Sequence, residues 1–180
     1  MRVEIRQLHE RLGTTTIYVT HDQIEAMTMA DKIVLMRGGK IEQSGTPDEL
    51  FDRPASTYAA DFIGTPSINL VEGTILEGPM LGLGEMRIPL APEAATHIGR
   101  DVTCGLRPSD LVLAPNGPIQ GRVVLTEKTG VDQNIHLDIG GDDFVMTATR
   151  DTAITQGETV AIDIPPAKVH VFDRQTGQRI

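Results

Sequence analysis

The sequence has little aromatic surface and a single thiol. Its 180 residues include two Tyr, four Phe and no Trp, and Cys104 is the one cysteine. A lone cysteine cannot form an internal disulfide or a multi-thiolate metal site, and it agrees with a reducing compartment. We therefore expect Cys104 to be a small buried hydrophobic residue.

Positive charge is also scarce. The chain has 16 Lys and Arg against 25 Asp and Glu, which gives a formal net charge of −9. Nucleic-acid binding draws most of its affinity from cations that neutralise phosphates, and single-strand binders add aromatic stacking platforms. Because the net charge is negative and aromatic residues are few, the composition disfavours a nucleic-acid partner.

Long apolar runs are missing too. No run approaches the roughly 18 residues that cross a bilayer, and the first twelve residues, MRVEIRQLHERL, contain no apolar core like that of a signal peptide. This predicts a soluble, cytoplasmic chain without direct membrane insertion. Met1 leads directly into an amphipathic helix pattern with Val3, Leu8 and Leu12 on one side. We interpret this abrupt start as a larger fold entered in the middle.

Helix and strand patterns alternate over the first third of the chain. Residues 2–12 predict a helix that Gly13 ends, and 22–30 predict a second one. In the second helix, Asp22 and Glu25 have the spacing of a capping pair. Between these helices, residues 14–20 are rich in β-branched side chains, and we predict that they form a strand.

The next patterns are a hairpin and two short helices. Residues 33–36 and 40–45 predict two strands joined by a tight turn at Gly38-Gly39. Thr46-Pro47-Asp48-Glu49 has a cap residue, a first-turn proline and a glutamate at the third helical position, which together indicate a helix start. Residues 56–63 predict another short helix, which Gly64-Thr65-Pro66 ends.

After Pro66 the pattern changes. Short runs rich in Val, Ile and Thr alternate with turn residues, and no long helical periodicity remains. This pattern predicts a small all-β domain, a barrel or a sandwich, after an α/β segment, with a boundary near residue 65. The predicted strands lie in INLVEGTIL, EMRIPL, VTCGLR, IQGRVVLTEKTG, QNIHLDIG, DFVMTATR, TVAIDI and KVHVF.

His21 lies in VTHDQIEAM (19–27), where the predicted strand ends and the second helix begins. At such a corner an imidazole can donate a hydrogen bond to a phosphate oxygen or hold a water. Two alternatives stay open: a structural histidine that bonds to nearby backbone, and a metal pair with Glu25, for which the sequence offers no third ligand nearby.

A phosphate-binding loop does not accompany this histidine. In Gly39-Lys40 the positions that need a glycine and a hydroxyl residue hold Val34 and Ile41, and the segment runs from strand to strand. If His21 contacts a phosphate, another part of a longer chain or another subunit must therefore hold that phosphate.

Residues 6–70 closely resemble a known family. The run RQLHERLGTTTIYVTHDQIEAMTMADKIVLMRGGKIEQSGTPDELFDRPASTYAADFIGTPSINL is similar to the last third of the ATP-binding subunits of ABC importers. The nearest branch is the maltose and glycerol-3-phosphate type. GLRPSDL (105–111), IPPAKVHVF (164–172) and DRQTGQRI (173–180) extend the resemblance more loosely to the end of the chain.

The resemblance implies roles for both segments. His21 would be the switch histidine, the catalytic and nucleotide-binding residue of this part, which contacts the γ-phosphate of ATP and helps to position the attacking water. Residues 1–65 would be the C-terminal part of the nucleotide-binding domain. Residues 66–180 would be an accessory domain of the oligonucleotide/oligosaccharide-binding (OB) or TOBE type, which mediates homodimerisation and receives regulatory signals.

The same resemblance indicates which motifs of the family this chain lacks. The family's P-loop, signature motif and acidic catalytic strand are not in this sequence. ATP, Mg²⁺ and membrane permease partners at the inner face of the plasma membrane therefore belong to the complete subunit. This chain alone is expected to need no cofactor and to hydrolyse no ATP. The alternative is a stand-alone β-barrel that binds a small solute or an oxyanion.

Some positions depart from the family pattern or stand alone. The accessory-domain motif Gly-aliphatic-Arg-Pro-Glu-His has Ser109 and Asp110 at its last two positions here. We interpret Arg107 and Pro108 as residues that shape a turn between strands. The other four histidines are isolated in the sequence: His9, His97, His136 and His170. His136 and His170 alternate with apolar neighbours on predicted strands, and we expect structural roles for these two.

Overall fold

The structure, a computed structural model, describes residues 2–180. Its helices are α1 (Arg2–Leu12), α2 (Gln23–Met29), α3 (Pro47–Asp52) and α4 (Thr57–Phe62). Short 3-10 turns lie at Pro92–His97 and Pro166–Lys168. The strands are β1 (Ile33–Arg37), β2 (Lys40–Gly45), β3 (Asn69–Leu76), β4 (Met80–Leu83), β5 (Met86–Pro89), β6 (Asp101–Leu106), β7 (Val112–Leu113), β8 (Ile119–Lys128), β9 (Asp132–Ile139), β10 (Asp142–Thr149), β11 (Thr159–Asp163) and β12 (His170–Asp173).

Two five-stranded antiparallel sheets make up the second part of the chain. Their strand orders are β10-β9-β8-β11-β7 and β12-β6-β3-β4-β5. All eight runs for which the sequence predicts strands contain one. The sequence analysis missed β4, a four-residue strand that contains a glycine, and β7, a pair of residues held against β11. Both are too short for a period-two pattern to develop.

One apolar core joins the two sheets. It combines inward side chains of the first sheet, such as Ile135 and Leu137 on β9, with those of the second, such as Val71 and Ile75 on β3. The alternating apolar residues of QNIHLDIG therefore serve the core. The two sheets form a single body because each buries its apolar face against the other.

Cys104 lies on β6 and is fully buried, as the sequence predicts. Burial raises the pKa of its thiol to about 12. Since the thiolate is the reactive form, we expect the native chain not to react with Ellman's reagent at pH 8. In denaturing urea the same reagent should release one equivalent of chromophore, because the chain has one cysteine. Rapid modification of the native chain would contradict this burial.

A smaller core supports the first part of the chain. The β1–β2 hairpin packs with α3 and α4 through Ile33, Leu35, Leu50, Ala59 and Ile63. Its turn is the predicted Gly38-Gly39 pair, with φ of 56° and 77°. The capping box at α3 also forms: Thr46 Oγ1 accepts from Glu49 N, and Glu49 Oε2 accepts from Thr46 N at 2.8 Å.

The predicted strand at 14–20 is wrong. These residues are extended, but no strand of residues 2–180 pairs with them, and the side chains of Ile17 and Val19 are 89% and 90% exposed. β-branched composition favours an extended backbone, but a strand also needs a neighbour for its N–H and C=O groups. The helix α1 forms as predicted, yet Val3, Leu8 and Leu12 on its apolar side are exposed.

The two parts of the chain are joined by packing and by main-chain hydrogen bonds. Ala60 of α4, Ile68 and Phe172 of β12 form a buried cluster at the junction. The last residues add two bonds: Thr57 N donates to Gly177 O at 2.8 Å, and Arg179 N donates to Ala55 O at 2.9 Å. The C-terminal tail therefore secures α4 against the second sheet.

Candidate functional site

His21 lies at an exposed corner between the extended segment 14–20 and α2. Its imidazole makes no hydrogen bond or ion pair within residues 2–180, so the described chain gives no support to the structural alternative in which it bonds to nearby backbone. The metal alternative gains no support, because no group of three His, Cys, Asp or Glu in the described chain can hold a metal ion. The ring is therefore free to donate to a group outside this chain.

Side-chain hydrogen bonds fix the backbone on both sides of His21. Asp22 caps α2 as predicted, since its Oδ1 accepts from Ile24 N at 2.8 Å and Glu25 N at 3.1 Å. Asp22 N donates in turn to Thr20 Oγ1 at 2.9 Å. The corner thus has a defined main-chain geometry although its side chains face solvent.

Glu25 does not complete the capping pair that the sequence predicts. Its Oε2 instead accepts from Thr20 Oγ1 at 2.8 Å and from Tyr18 Oη at 3.1 Å. These two hydroxyls compete with the backbone N–H for the carboxylate, which is why the box does not close. The hydrogen bond and the negative charge of Glu25 raise the pKa of Tyr18.

Arg107 begins the turn that the sequence predicts, because its carbonyl accepts from Asp110 N at 3.0 Å, but the sequence analysis missed a second role of this residue. It is 2% exposed and does more than shape a turn. Its Nη1 donates to Ile63 O at 2.7 Å, and its Nη2 and Nε donate to Phe51 O at 2.6 and 3.2 Å. The guanidinium also stacks over the Phe51 ring, with Cζ 3.8 Å from the centroid. Arg107 therefore joins the second part of the chain to the ends of α3 and α4.

The charge of Arg107 is buried with carbonyl partners. Burial lowers the pKa of its guanidinium to about 10, while the negative charges of Asp110 and Asp52 act in the opposite direction. The side chain therefore stays charged at neutral pH. Lys168 Nζ lies 3.9 Å from carboxylate oxygens of both Asp52 and Asp110, so Asp110, at a position where the family motif differs, belongs to this junction.

Three other histidines have polar partners of their own. His170 is buried on β12, and its Nδ1 is 3.1 Å from Arg179 Nη1. Burial and the nearby cations lower the pKa of His170 to about 4. His136 Nε2 lies 3.0 Å from Glu127 Oε2, and His97 Nδ1 lies 3.2 Å from Arg100 Nη1. The strand histidines have the structural roles that the sequence predicts.

Residues 2–180 do not form a phosphate cradle. Gly38 and Gly39 have positive φ and turn the chain between two strands, and Lys40 begins β2 in an exposed position. A P-loop needs successive N–H groups that lead into a helix N-terminus. The described residues therefore do not form a binding site for ATP with Mg²⁺ by themselves, because His21 is a single exposed donor.

No helix in residues 2–180 has the length and apolar character that crossing a membrane would require.

Family models match most of the second part of the chain. A MalK OB fold domain matches residues 64–111, and a TOBE domain matches residues 104–172. The two-sheet body described above thus corresponds to an OB-like and TOBE fold, accompanied by helices in the first part.

Curated relatives match the chain over its whole length. It is 43% identical to the sn-glycerol-3-phosphate import ATP-binding protein UgpC 2 of Agrobacterium fabrum, covering 49% of that protein. It is 38% identical to the trehalose/maltose import ATP-binding protein MalK of Thermococcus litoralis, covering 52% of that protein. The chain thus spans about half the length of the curated relatives it matches.

A solved structure shares the fold. The cytoplasmic molybdate-binding protein ModG superposes with a TM-score of 0.50 at 17% identity, over 57% of this chain and 94% of that one. This likeness concerns the fold alone. The sequence relationships are more specific: over its whole length the chain matches the C-terminal part of UgpC and MalK import ATP-binding proteins, and it carries a MalK OB fold domain and a TOBE domain.

Proposed function

We propose that this chain is the C-terminal part of the ATP-hydrolysing subunit of an importer for a carbohydrate or a polyol phosphate. In the complete subunit, residues 1–65 finish the nucleotide-binding domain and residues 66–180 form an accessory domain for regulation and dimerisation. His21 is the switch histidine, which donates a hydrogen bond to a phosphate oxygen of ATP bound with Mg²⁺. Permease subunits at the cytoplasmic face of the membrane are its partners.

One observation carries this proposal: His21 is an unpartnered imidazole on a corner whose backbone is fixed. Because this imidazole faces solvent and forms no hydrogen bond within the described chain, its removal is expected not to change the stability of the fold. The bonds of Asp22, Thr20 and Glu25 nevertheless hold the corner in one geometry. Such an arrangement suits contact with a ligand from outside the described chain.

The exposed apolar surface beside this corner supports the same proposal. Ile17, Val19 and Leu12 are largely exposed, although side chains of this type are normally buried. The relatives contain about as much chain again as the part matched here. We infer that this further half covers the exposed apolar surface and brings the phosphate-binding groups to His21.

Homodimerisation through the β domain is part of the proposal. The strand residues of QNIHLDIG are used in the core, so they do not supply the contact surface. Exposed apolar side chains of the same domain are available, namely Val124, Leu125 and Val131 on the β8–β9 hairpin and Val112 on β7. The alternative of a stand-alone solute-binding module is not favoured, because the relatives that match the whole chain are import ATP-binding proteins.

The chain alone is expected to show no hydrolysis of Mg-ATP above a protein-free blank in a phosphate-release assay. The reason is the missing phosphate cradle, since one imidazole cannot hold a triphosphate in place for attack. Calorimetric titration with sugars and oxyanions should give flat heats. Turnover by this chain would contradict the proposal, and a stoichiometric heat would favour the solute-binding alternative.

A further inference from the structure

The peptide bond between Ile63 and Gly64 is held from both sides. Ile63 O accepts from Arg107 Nη1 at 2.7 Å, and Gly64 N donates to Gln23 Oε1 at 3.1 Å. Arg107 directly follows β6 of the β domain, and Gln23 is the first residue of α2, two positions after His21. A single peptide group thus connects the β domain with the His21 corner.

The Arg107 side of this connection is rigid. The guanidinium is buried and also bonded to Phe51 O, so it cannot move without breaking bonds to both short helices. Gly64 has a φ of 125°, and a Cβ added there would lie 2.9 Å from Arg107 Nη1. Only glycine allows this backbone conformation and this close approach.

The α2 side has few other supports. This helix has seven residues and buries none of them completely. Ala26 and Met27 pack at the edge of the smaller core, and Met29 O accepts from Arg6 Nη1 at 2.6 Å near the helix end. At the helix start, next to His21, the Gln23 side chain makes the bond to the rest of the fold. The direction of the first turn therefore depends on it.

We propose that Arg107 and Gln23 are positioning residues that couple the β domain to the His21 corner through the Ile63–Gly64 peptide. A displacement of the β domain relative to α4 shifts this peptide, and the Gln23 bond transmits the shift to the start of α2 and so to the imidazole. The coupling itself is a property of this chain. Its use in nucleotide hydrolysis rests on the function proposed above.

The test uses two reporters in the full 180-residue chain. Amide hydrogen exchange of Gly64 reports on the Gln23 bond, and the imidazole carbon–proton signals of histidine-labelled protein report on His21. The other four histidines provide internal references. The variants are Gln23→Leu, which removes the acceptor, Gln23→Glu, which keeps an acceptor oxygen, and Arg107→Lys, which keeps the charge but loses the forked geometry.

A matched control exists in the same part of the chain. Gln43 also bonds to loop backbone through its side chain, donating to Arg53 O at 3.0 Å and accepting from Ala55 N at 2.8 Å. Neither of these hydrogen bonds involves Gly64 or α2. Gln43→Leu therefore measures the general effect of losing a glutamine that secures a loop.

We expect Gln23→Leu to speed exchange at Gly64 by about fivefold, the effect of one lost hydrogen bond, and to shift the His21 signals. Arg107→Lys should shift the same His21 signals. In Gln23→Glu, which keeps an acceptor oxygen, both reporters should be closer to the parent chain than in Gln23→Leu. The double variant Arg107→Lys with Gln23→Leu should shift His21 no further than Gln23→Leu alone, because the connection is already broken.

The proposal is overturned if Arg107→Lys leaves the His21 signals unchanged, if its effect adds fully to that of Gln23→Leu, or if Gln43→Leu moves them equally. Failure of this proposal can be distinguished from failure of the proposed function. If the two reporters respond together but ATP hydrolysis by the complete subunit does not depend on His21, the function is rejected and the coupling stands. If hydrolysis depends on His21 but the reporters respond independently, the coupling is rejected and the function stands.

Discussion

Replacing Arg107 with methionine is expected to lower the free energy of unfolding by about 2–4 kcal/mol. The change leaves Phe51 O and Ile63 O without their buried donors and removes the stacking on the Phe51 ring. Each charge-assisted bond is worth about 1.5–3 kcal/mol, and the sum is reduced because methionine avoids the cost of burying a charge. Urea unfolding followed by circular dichroism measures the difference.

Arg87 provides a matched control for this prediction. Its Nη1 also donates to two carbonyls, Gly84 O and Met86 O, both at 2.7 Å, but the residue is exposed. Arg87→Met should change the free energy of unfolding by less than about 0.5 kcal/mol. If both variants lose the same amount, burial of the Arg107 bonds does not explain their importance, and the account of the junction is wrong.

Replacing His21 with alanine in a complete subunit is expected to reduce ATP hydrolysis by about 100-fold or more. The subunit can be made by joining this chain to the part of UgpC 2 of A. fabrum that precedes the matched half. The loss should appear in kcat with little change in KM, because a group that acts mainly on the transition state contributes little to ground-state binding. Steady-state phosphate release measures both constants.

His97→Ala is the control, since this imidazole lies on a 3-10 turn of the β domain and bonds to Arg100. The control should retain the parent rate. The unfolding free energy of the 180-residue chain should be the same with and without His21→Ala, because the His21 ring makes no bond within the described residues. A His21→Ala subunit that hydrolyses ATP within about threefold of the parent rate would falsify the proposed role.

Local patterns predicted most of the secondary structure. The eight strand runs after Pro66 and the Gly38-Gly39 turn were predicted because alternation and turn chemistry act over a few residues. The capping box at Thr46 formed for the same reason. Glu25 shows where this approach ends: its spacing from Asp22 fits a capping pair, but hydroxyls of the preceding segment occupy its carboxylate.

The segment 14–20 and Arg107 show a different limit. Residues 14–20 have the composition of a strand but no partner strand within residues 2–180. Their composition therefore predicted a strand that the structure does not contain. Arg107 was identified at the right position, since the Gly-Leu-Arg-Pro motif marks it. Its partners, however, are backbone carbonyls 44 and 56 residues earlier in the chain, and such partners leave no trace in side-chain patterns.

The sequence by itself determined the all-β character of the second part, the buried state of Cys104 and the position of His21 at a helix start. These features follow from side-chain periodicity, turn residues and capping, which depend on near neighbours. The tertiary structure alone decided that the two sheets share a core, that His21 has no partner, and that Arg107 and Gln23 meet at the Ile63–Gly64 peptide. These depend on long-range packing and on burial of a charge against backbone carbonyls, which only the folded chain brings together.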